Sequence, residues 1–166
     1  MTYSIDNAQG VGAPAPALRF VFRIDAEIAE NIPIDERAGG ELGFIPITGG
    51  TVSGALAGVV TAGGDWCLQR DEETYRVEAR YGLRLDGGAF VDVHNVGILN
   101  QRPRGAHGAG PDVEYFMTSP VFRTVDADLG WLNHSVFVGH ARELEGLTRI
   151  DVFEVLLPES APMVGK

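Results

Sequence analysis

The chain is 166 residues long and carries a formal charge of −10, with 23 acidic side chains against 13 basic ones. That balance argues against nucleic acid or an anionic membrane as partner, since both need a basic surface. The only lysine is Lys166 and the other twelve basic residues are arginine, which sets aside enzymes that work through an internal lysine, such as Schiff-base, pyridoxal-phosphate and P-loop enzymes.

Cys67 is the single cysteine, so an internal disulfide, a CxxC redox pair and a cysteine zinc site are all excluded. The opening MTYSIDNAQG has neither a basic stretch nor an apolar core and does not read as a signal peptide. No apolar run approaches the roughly 20 residues of a membrane span. A cytoplasmic protein is expected, of a length that makes one domain with a substantial core.

Residues 1–17 are rich in Ala, Gly and Pro and are expected to form a flexible arm. From Leu18 the pattern has period two: Leu18, Phe20, Phe22, Ile24, Ala26 and Ile28 alternate with Arg19, Val21, Arg23, Asp25 and Glu27, as in a half-buried strand. Residues 26–38 allow at most a short helix. Further strands are expected near 42–47, 51–60, 65–70, 75–85, 89–98, 113–124, 132–142 and 148–157, with a short tail over 158–166. Asp86-Gly87-Gly88, between YGLRL and AFVDV, is the clearest hairpin turn, because glycine permits the positive φ that a tight turn requires. A second short helix is allowed over 126–132. Eight to ten antiparallel strands at regular spacing, with minor helix, predict an all-β domain over 18–157. A closed barrel is preferred to a sandwich because closure removes the sheet edges.

The stretch PITGGTVSGALAGVVTAGGDW, residues 46–66, holds six glycines. It is not a phosphate cradle: GxGxxG and GxxxxGK spacings are both missing, and the glycines lead into strand residues rather than a helix. Ser53 in GTVSG has one residue too many for a GxSxG elbow. The glycines read as bends and bulges of a tightly curled sheet.

PITGG, followed by G-x-L-x-G-x-V and GG-DW, resembles the start of the bacterial family known as domain-of-unknown-function family 3237. The resemblance continues through Ala79-Arg80-Tyr81, Asp86-Gly87-Gly88, Val93-His94-Asn95-Val96-Gly97, Tyr115 to Pro120, and Trp131-Leu132-Asn133 with Phe137-Val138-Gly139. It spans about residues 18–155 and implies an antiparallel barrel akin to the allene-oxide-cyclase and calycin-like barrels, with no settled reaction. The family often has arginines just before PITGG and after the Tyr-Phe pair. This chain has Glu41-Leu42-Gly43-Phe44 and Met117 there, which implies a less cationic cavity mouth.

The histidines do not read as a metal site. On one strand His134 and His140 would stand roughly 20 Å apart, His107 lies in the RPRGAHGAGPD loop, and neither HExxH nor a cupin-like HxH spacing occurs. Cys67, between Trp66 and Leu68 with no nearby histidine, reads as packing. No metal and no cofactor are expected.

The informative residues are polar ones on apolar strand faces. Asn95 shares a face with Val91 and Val93, Asn133 with Ser135 and Phe137, and Tyr115 with Met117 and Ser119. Along 75–85, Glu78 and Arg80 oppose Val77, Ala79, Tyr81 and Leu83, and parity alone does not say which face looks inward. One reading is structural, in which these side chains satisfy backbone groups at the barrel ends. The other gathers them around a small-molecule pocket. In it Asp65, Tyr115 and Arg80 are candidate catalytic groups, and Trp66, Asn95, Asn133, Tyr81 and Phe137 candidate substrate-binding groups. Asp65, desolvated against Trp66, would serve as acid or base in a cofactor-independent isomerase, cyclase or lyase acting on a small, largely apolar carbonyl compound. The alternative is a barrel that binds or carries a hydrophobic metabolite without chemistry. A homodimer or small ring is expected in either case, through a wall near Trp131 and Phe137.

Overall fold

The computed structural model describes residues 14–37, 40–102 and 112–158. The expected tail, His107 and its loop, and most of the expected N-terminal arm lie outside the described residues. The elements in order are β1 (Ala17–Ile28), β2 (Ile32–Arg37), β3 (Gly40–Gly54), β4 (Gly58–Val60), β5 (Gly63–Gln69), β6 (Thr74–Leu85), β7 (Phe90–Arg102), β8 (Asp112–Arg123), a 3₁₀ turn (Ala127–Leu129), α1 (Trp131–His134), β9 (Phe137–Leu144) and β10 (Leu147–Leu156).

All strand pairs are antiparallel, and the ten strands form one sheet. From β10 the sheet runs through β9, β8, β7 and β6 to β4 and β5, then to β3, and the β3–β1 pairing returns it to β10. The sheet is therefore a closed, barrel-like ring. β4 and β5 share one place between β3 and β6, and β2 lies beyond β1 along the same side of β3, so the ring has eight places. Eight strands enclose a lumen just wide enough to be filled by side chains or to hold one small ligand.

The glycine-rich stretch is the tightest part of this ring. Gly50 has φ 132°, and a Cβ there would lie 1.9 Å from the carbonyl oxygen of Asp25 on β1. Only glycine lets β1 and β3 approach this closely while the strand bends. The Asp86–Gly88 turn forms as expected, with Gly88 at φ 90° and its N–H donating to the Leu85 carbonyl at 2.8 Å.

Two expectations need correction. Residues 32–37, inside the stretch allowed a short helix, form β2, which pairs along the start of β3. Residues 132–134, read as the start of a strand, lie in α1, so β9 begins only at Phe137. The side chain of Asn133 explains the latter. Its Nδ2 donates to the Thr124 carbonyl at 2.9 Å and its Oδ1 accepts the Thr124 N–H at 3.0 Å. That double bond to one residue holds the helix against the end of β8.

The two ends of the ring differ. At the end with the β6–β7 turn, Phe22, Phe122, Phe137 and Trp131 pack edge-on or tilted with centroids 5.1–5.8 Å apart, and Leu83, Val91, Leu132 and Val152 fill the space between. Burial of this apolar plug is a large part of what drives folding. Outside the ring, β1, β9 and β10 are laced by ion pairs. Asp151 accepts from both Arg23 (2.6 Å) and Arg142, Arg149 reaches both oxygens of Asp25 (2.7 and 2.8 Å), and Arg19 pairs with Glu154.

Candidate functional site

Away from the plug the lumen is not filled. A cavity opens toward the end that carries the β5–β6 and β9–β10 turns. Its walls are mostly apolar: Ala26, Ile28, Ile45, Ile47, Val77, Ala79, Leu99, Phe116, Ala141 and Ile150. The polar lining consists of Asp65, Cys67, Tyr81, Asn95, Thr118, Glu143 and Thr148.

Strand alternation brings these side chains together. Asp65 pairs with Ala79 and Ala79 with Asn95, so the three stand in one row across β5, β6 and β7, with Tyr81 two residues further toward the plug. Thr118 lies opposite, between Gly97 on β7 and Gly139 on β9. A Cβ at Gly139 would meet the Thr118 hydroxyl at 2.3 Å, and one at Gly97 its methyl at 2.5 Å. The two glycines thus clear the wall on both sides of Thr118.

The Tyr81 hydroxyl, Asn95 Oδ1 and Thr118 Oγ1 are buried without a hydrogen-bond partner among the described residues. Tyr81 and Asn95 are each 6% exposed and Thr118 5%. Buried polar groups are nearly always paired, and each orphan costs about 1–3 kcal/mol. All three line the same cavity.

Asp65 is half-buried. Its Oδ1 accepts the backbone N–H of Glu78 at 2.8 Å, which favours the carboxylate, but desolvation by the cavity wall outweighs this. The net result is a carboxyl pKa pushed up to about 6, with the Glu78 charge adding to the rise. Desolvation also raises the Tyr81 phenol, and the nearby Asp65 charge adds to that shift. Cys67 is pushed up to about 12 by burial first, then by the charges of Asp65, Glu143 and Glu41. Such a thiol is inert as a nucleophile. Glu143 stands solvent-exposed at the rim, and burial of its inner side raises its pKa.

The structure brings together three of the sequence-derived candidates, Asp65, Asn95 and Tyr81, and separates the others. Trp66 follows Asp65 and so points outward, 42% exposed, tilted against Phe44 at 5.0 Å. The desolvation of Asp65 therefore comes from the lumen and not from the indole. Arg80 lies on the outer face, exposed, and Tyr115 is 52% exposed on the outer face of β8. Asn133 clasps Thr124 far from the cavity, and Phe137 belongs to the plug. Thr118 and Glu143 were not singled out from the sequence. Parity with Phe116 and Phe122 was the available signal for Thr118, and nothing comparable marked Glu143. Among the described residues, no three His, Cys, Asp or Glu side chains are grouped to hold a metal ion.

Comparison with known proteins agrees with this architecture. The family model described as "Protein of unknown function (DUF3237)" matches residues 16–155. A UPF0311 protein of Rhodopseudomonas palustris is 35% identical over 151 residues, covering 86% of this chain and 99% of its own. Its crystal structure, described as a conserved protein of unknown function, superposes with a TM-score of 0.79, covering 87% of this chain and 100% of that one. A beta-barrel like protein from Acinetobacter baumannii (TM-score 0.76, 23% identity, 87% and 99% coverage) has the same fold. So does a structure described only as an enzyme from Penicillium herquei (TM-score 0.70, 19% identity, 88% and 98% coverage). With the family model spanning nearly all of the ring, the chain belongs to the DUF3237 family of proteins of unknown function.

Proposed function

We propose that the cavity is the active site of a cofactor-independent isomerase, cyclase or lyase in which Asp65 moves a proton on a small, largely apolar carbonyl compound. The observation that carries this reading is one carboxyl group, with a pKa near 6, facing an apolar lumen beside three unpartnered polar atoms. A general base works best when its pKa lies near the operating pH, and burial is the usual way to bring a carboxyl there.

In this reading the Asp65 carboxylate takes a proton from the carbon next to the substrate carbonyl. The C–H electron pair becomes a new C=C bond and the carbonyl π pair moves onto the oxygen, giving an enolate. The Tyr81 hydroxyl, with no protein acceptor to satisfy, donates to that oxygen, and Thr118 and Asn95 orient the remaining polar groups. Return of the proton to another atom completes an isomerisation; loss of a leaving group or ring closure completes a lyase or cyclase reaction. Arg80 and Tyr115 take no part, since both face outward. A passive carrier of a neutral metabolite would gain nothing from a desolvated carboxyl beside orphaned polar atoms, which favours the catalytic reading over transport.

The test needs no knowledge of the natural substrate. Deuterium exchange next to the carbonyl of small cyclic ketones such as 1-indanone and 1-tetralone is followed by NMR. Exchange should be accelerated by the protein, rise with pH through about 6, and fall about 100-fold or more in Asp65→Asn. A variant that retains full exchange would return Asp65 to a structural role.

A further inference from the structure

The cavity has a one-sided electrostatic character. Two of its lining residues are carboxylic acids, Asp65 in the wall and Glu143 at the rim, and none of the described lining residues is Arg, Lys or His. A third acid, Glu41, is near enough to act on the Cys67 thiol together with those two. The arginines of the neighbouring strands do not compensate. Arg76 and Arg80 lie exposed on the outer face of β6, while Arg142 and Arg149 are engaged by Asp151 and Asp25. Among the described residues Glu143 has no ion-pair or hydrogen-bond partner, although Asp25, Asp151 and Glu154 on the outer face of the same wall are all paired.

An anionic ligand entering this lumen would shed its water between carboxylates with no cation to replace it, and that costs more than the apolar walls return. A neutral ligand meets no such penalty. A cationic ligand gains an ion pair at the rim, where Glu143 is half-enclosed by protein and the attraction is stronger than in bulk water. The polar atoms deeper in, Tyr81, Asn95 and Thr118, are neutral groups suited to oxygen or N–H functions of the ligand body. We infer that the cavity selects its ligand by charge, taking an amine-bearing molecule and turning away carboxylates, with Glu143 as the residue that reads the charge. This rests on the reading of the cavity as a small-molecule site and adds the substrate class to it.

Three probes of one shape and different charge test the inference near neutral pH: benzylamine, benzyl alcohol and benzoate. Binding to the full chain is followed by NMR titration of the Asn95 side-chain amide and the Thr118 methyl group. Benzylamine should bind up to about fivefold more tightly than benzyl alcohol, the upper range of an ion pair at a protein surface, and benzoate should bind least. Glu143→Gln should erase the benzylamine advantage and leave benzyl alcohol unchanged. Added salt should shrink the same advantage in the unmodified protein. Benzoate binding as well as benzyl alcohol, or a benzylamine advantage that survives both Glu143→Gln and salt, would overturn charge selection while leaving the ketone-exchange test of Asp65 untouched. Failure of all three probes to perturb Asn95 and Thr118 would overturn the small-molecule site as well.

Discussion

Asp65→Asn should stabilise the protein at neutral pH while it removes the proposed base. The carboxyl has a pKa of about 6 in the folded chain against 3.8 for an ordinary aspartate. Between those values the folded state holds the proton and the unfolded state does not, so stability falls as pH rises through the interval and stays lower above it. A gap of about 2.2 units, at 1.36 kcal/mol per unit, is about 3 kcal/mol. Asparagine is uncharged at every pH, and its Oδ1 can still accept the Glu78 N–H. The variant should therefore match the parent near pH 4, exceed it by up to about 3 kcal/mol above pH 7, and melt about 6–12 °C higher there. Urea titrations of both proteins across this range give the difference directly, and groups that titrate alike in both cancel. A difference that is flat with pH, or a variant less stable than the parent at neutral pH, would refute the argument that burial raises the Asp65 pKa.

Other consequences are independent of Asp65. Asp151, 8% exposed, is held by Arg23 and Arg142, and Asp151→Ala should destabilise the fold by about 2–4 kcal/mol in urea, since it leaves two guanidinium groups facing each other. Cys67 has its thiol pushed up to about 12, so its reaction with Ellman's reagent at mildly alkaline pH should be at least about 100-fold slower than in the urea-unfolded chain. Equal rates would show that the thiol is not shielded. Self-association, expected from the sequence through Trp131 and Phe137, cannot use Phe137, which is buried in the plug. We propose instead the outer face of β7 and β8, where Ile98, Tyr115 and Val121 are 39–52% exposed. Light scattering should give at least a dimer, reduced to monomer by Tyr115→Glu.

The strands were legible in the sequence because alternation is a direct consequence of one wet and one dry face, as in β6 and β7. What alternation does not give is the sense of the face. Arg80 and Tyr81 illustrate why: the outer surface of this ring carries Trp66, Leu68, Ile98 and Tyr115 partly exposed, so an apolar row is no proof of the lumen. The lumen became identifiable only through pairing, since Asp65, Ala79 and Asn95 fall in one row once β5, β6 and β7 are in register. β2 was hidden by its setting. It carries Pro33 and pairs only with β3, and Ile32 and Ile34 are both exposed, so neither composition nor burial period marked it. α1 was legible only in part: a short helix was allowed over 126–132, but Asn133 and His134 read as strand until the clasp of Asn133 on Thr124, nine residues away, was seen.

The two ends of the ring explain each other. A lumen of eight strand places filled throughout, as the plug is filled at the β6–β7 end, would be more stable and would bind nothing. Here Gly97 and Gly139 withhold side chains on either side of Thr118, and three polar atoms and a carboxyl face the space that results. Each of these choices lowers stability, and the ionised Asp65 carboxyl is expected to lower it further at neutral pH. The aromatic plug and the ion-paired ladder over β1, β9 and β10 lie where they offset that loss without entering the cavity. A protein whose whole purpose was the ring itself would have no physical reason to keep the unfilled half, and it is in that half that the proposed ligand and proton transfer would meet.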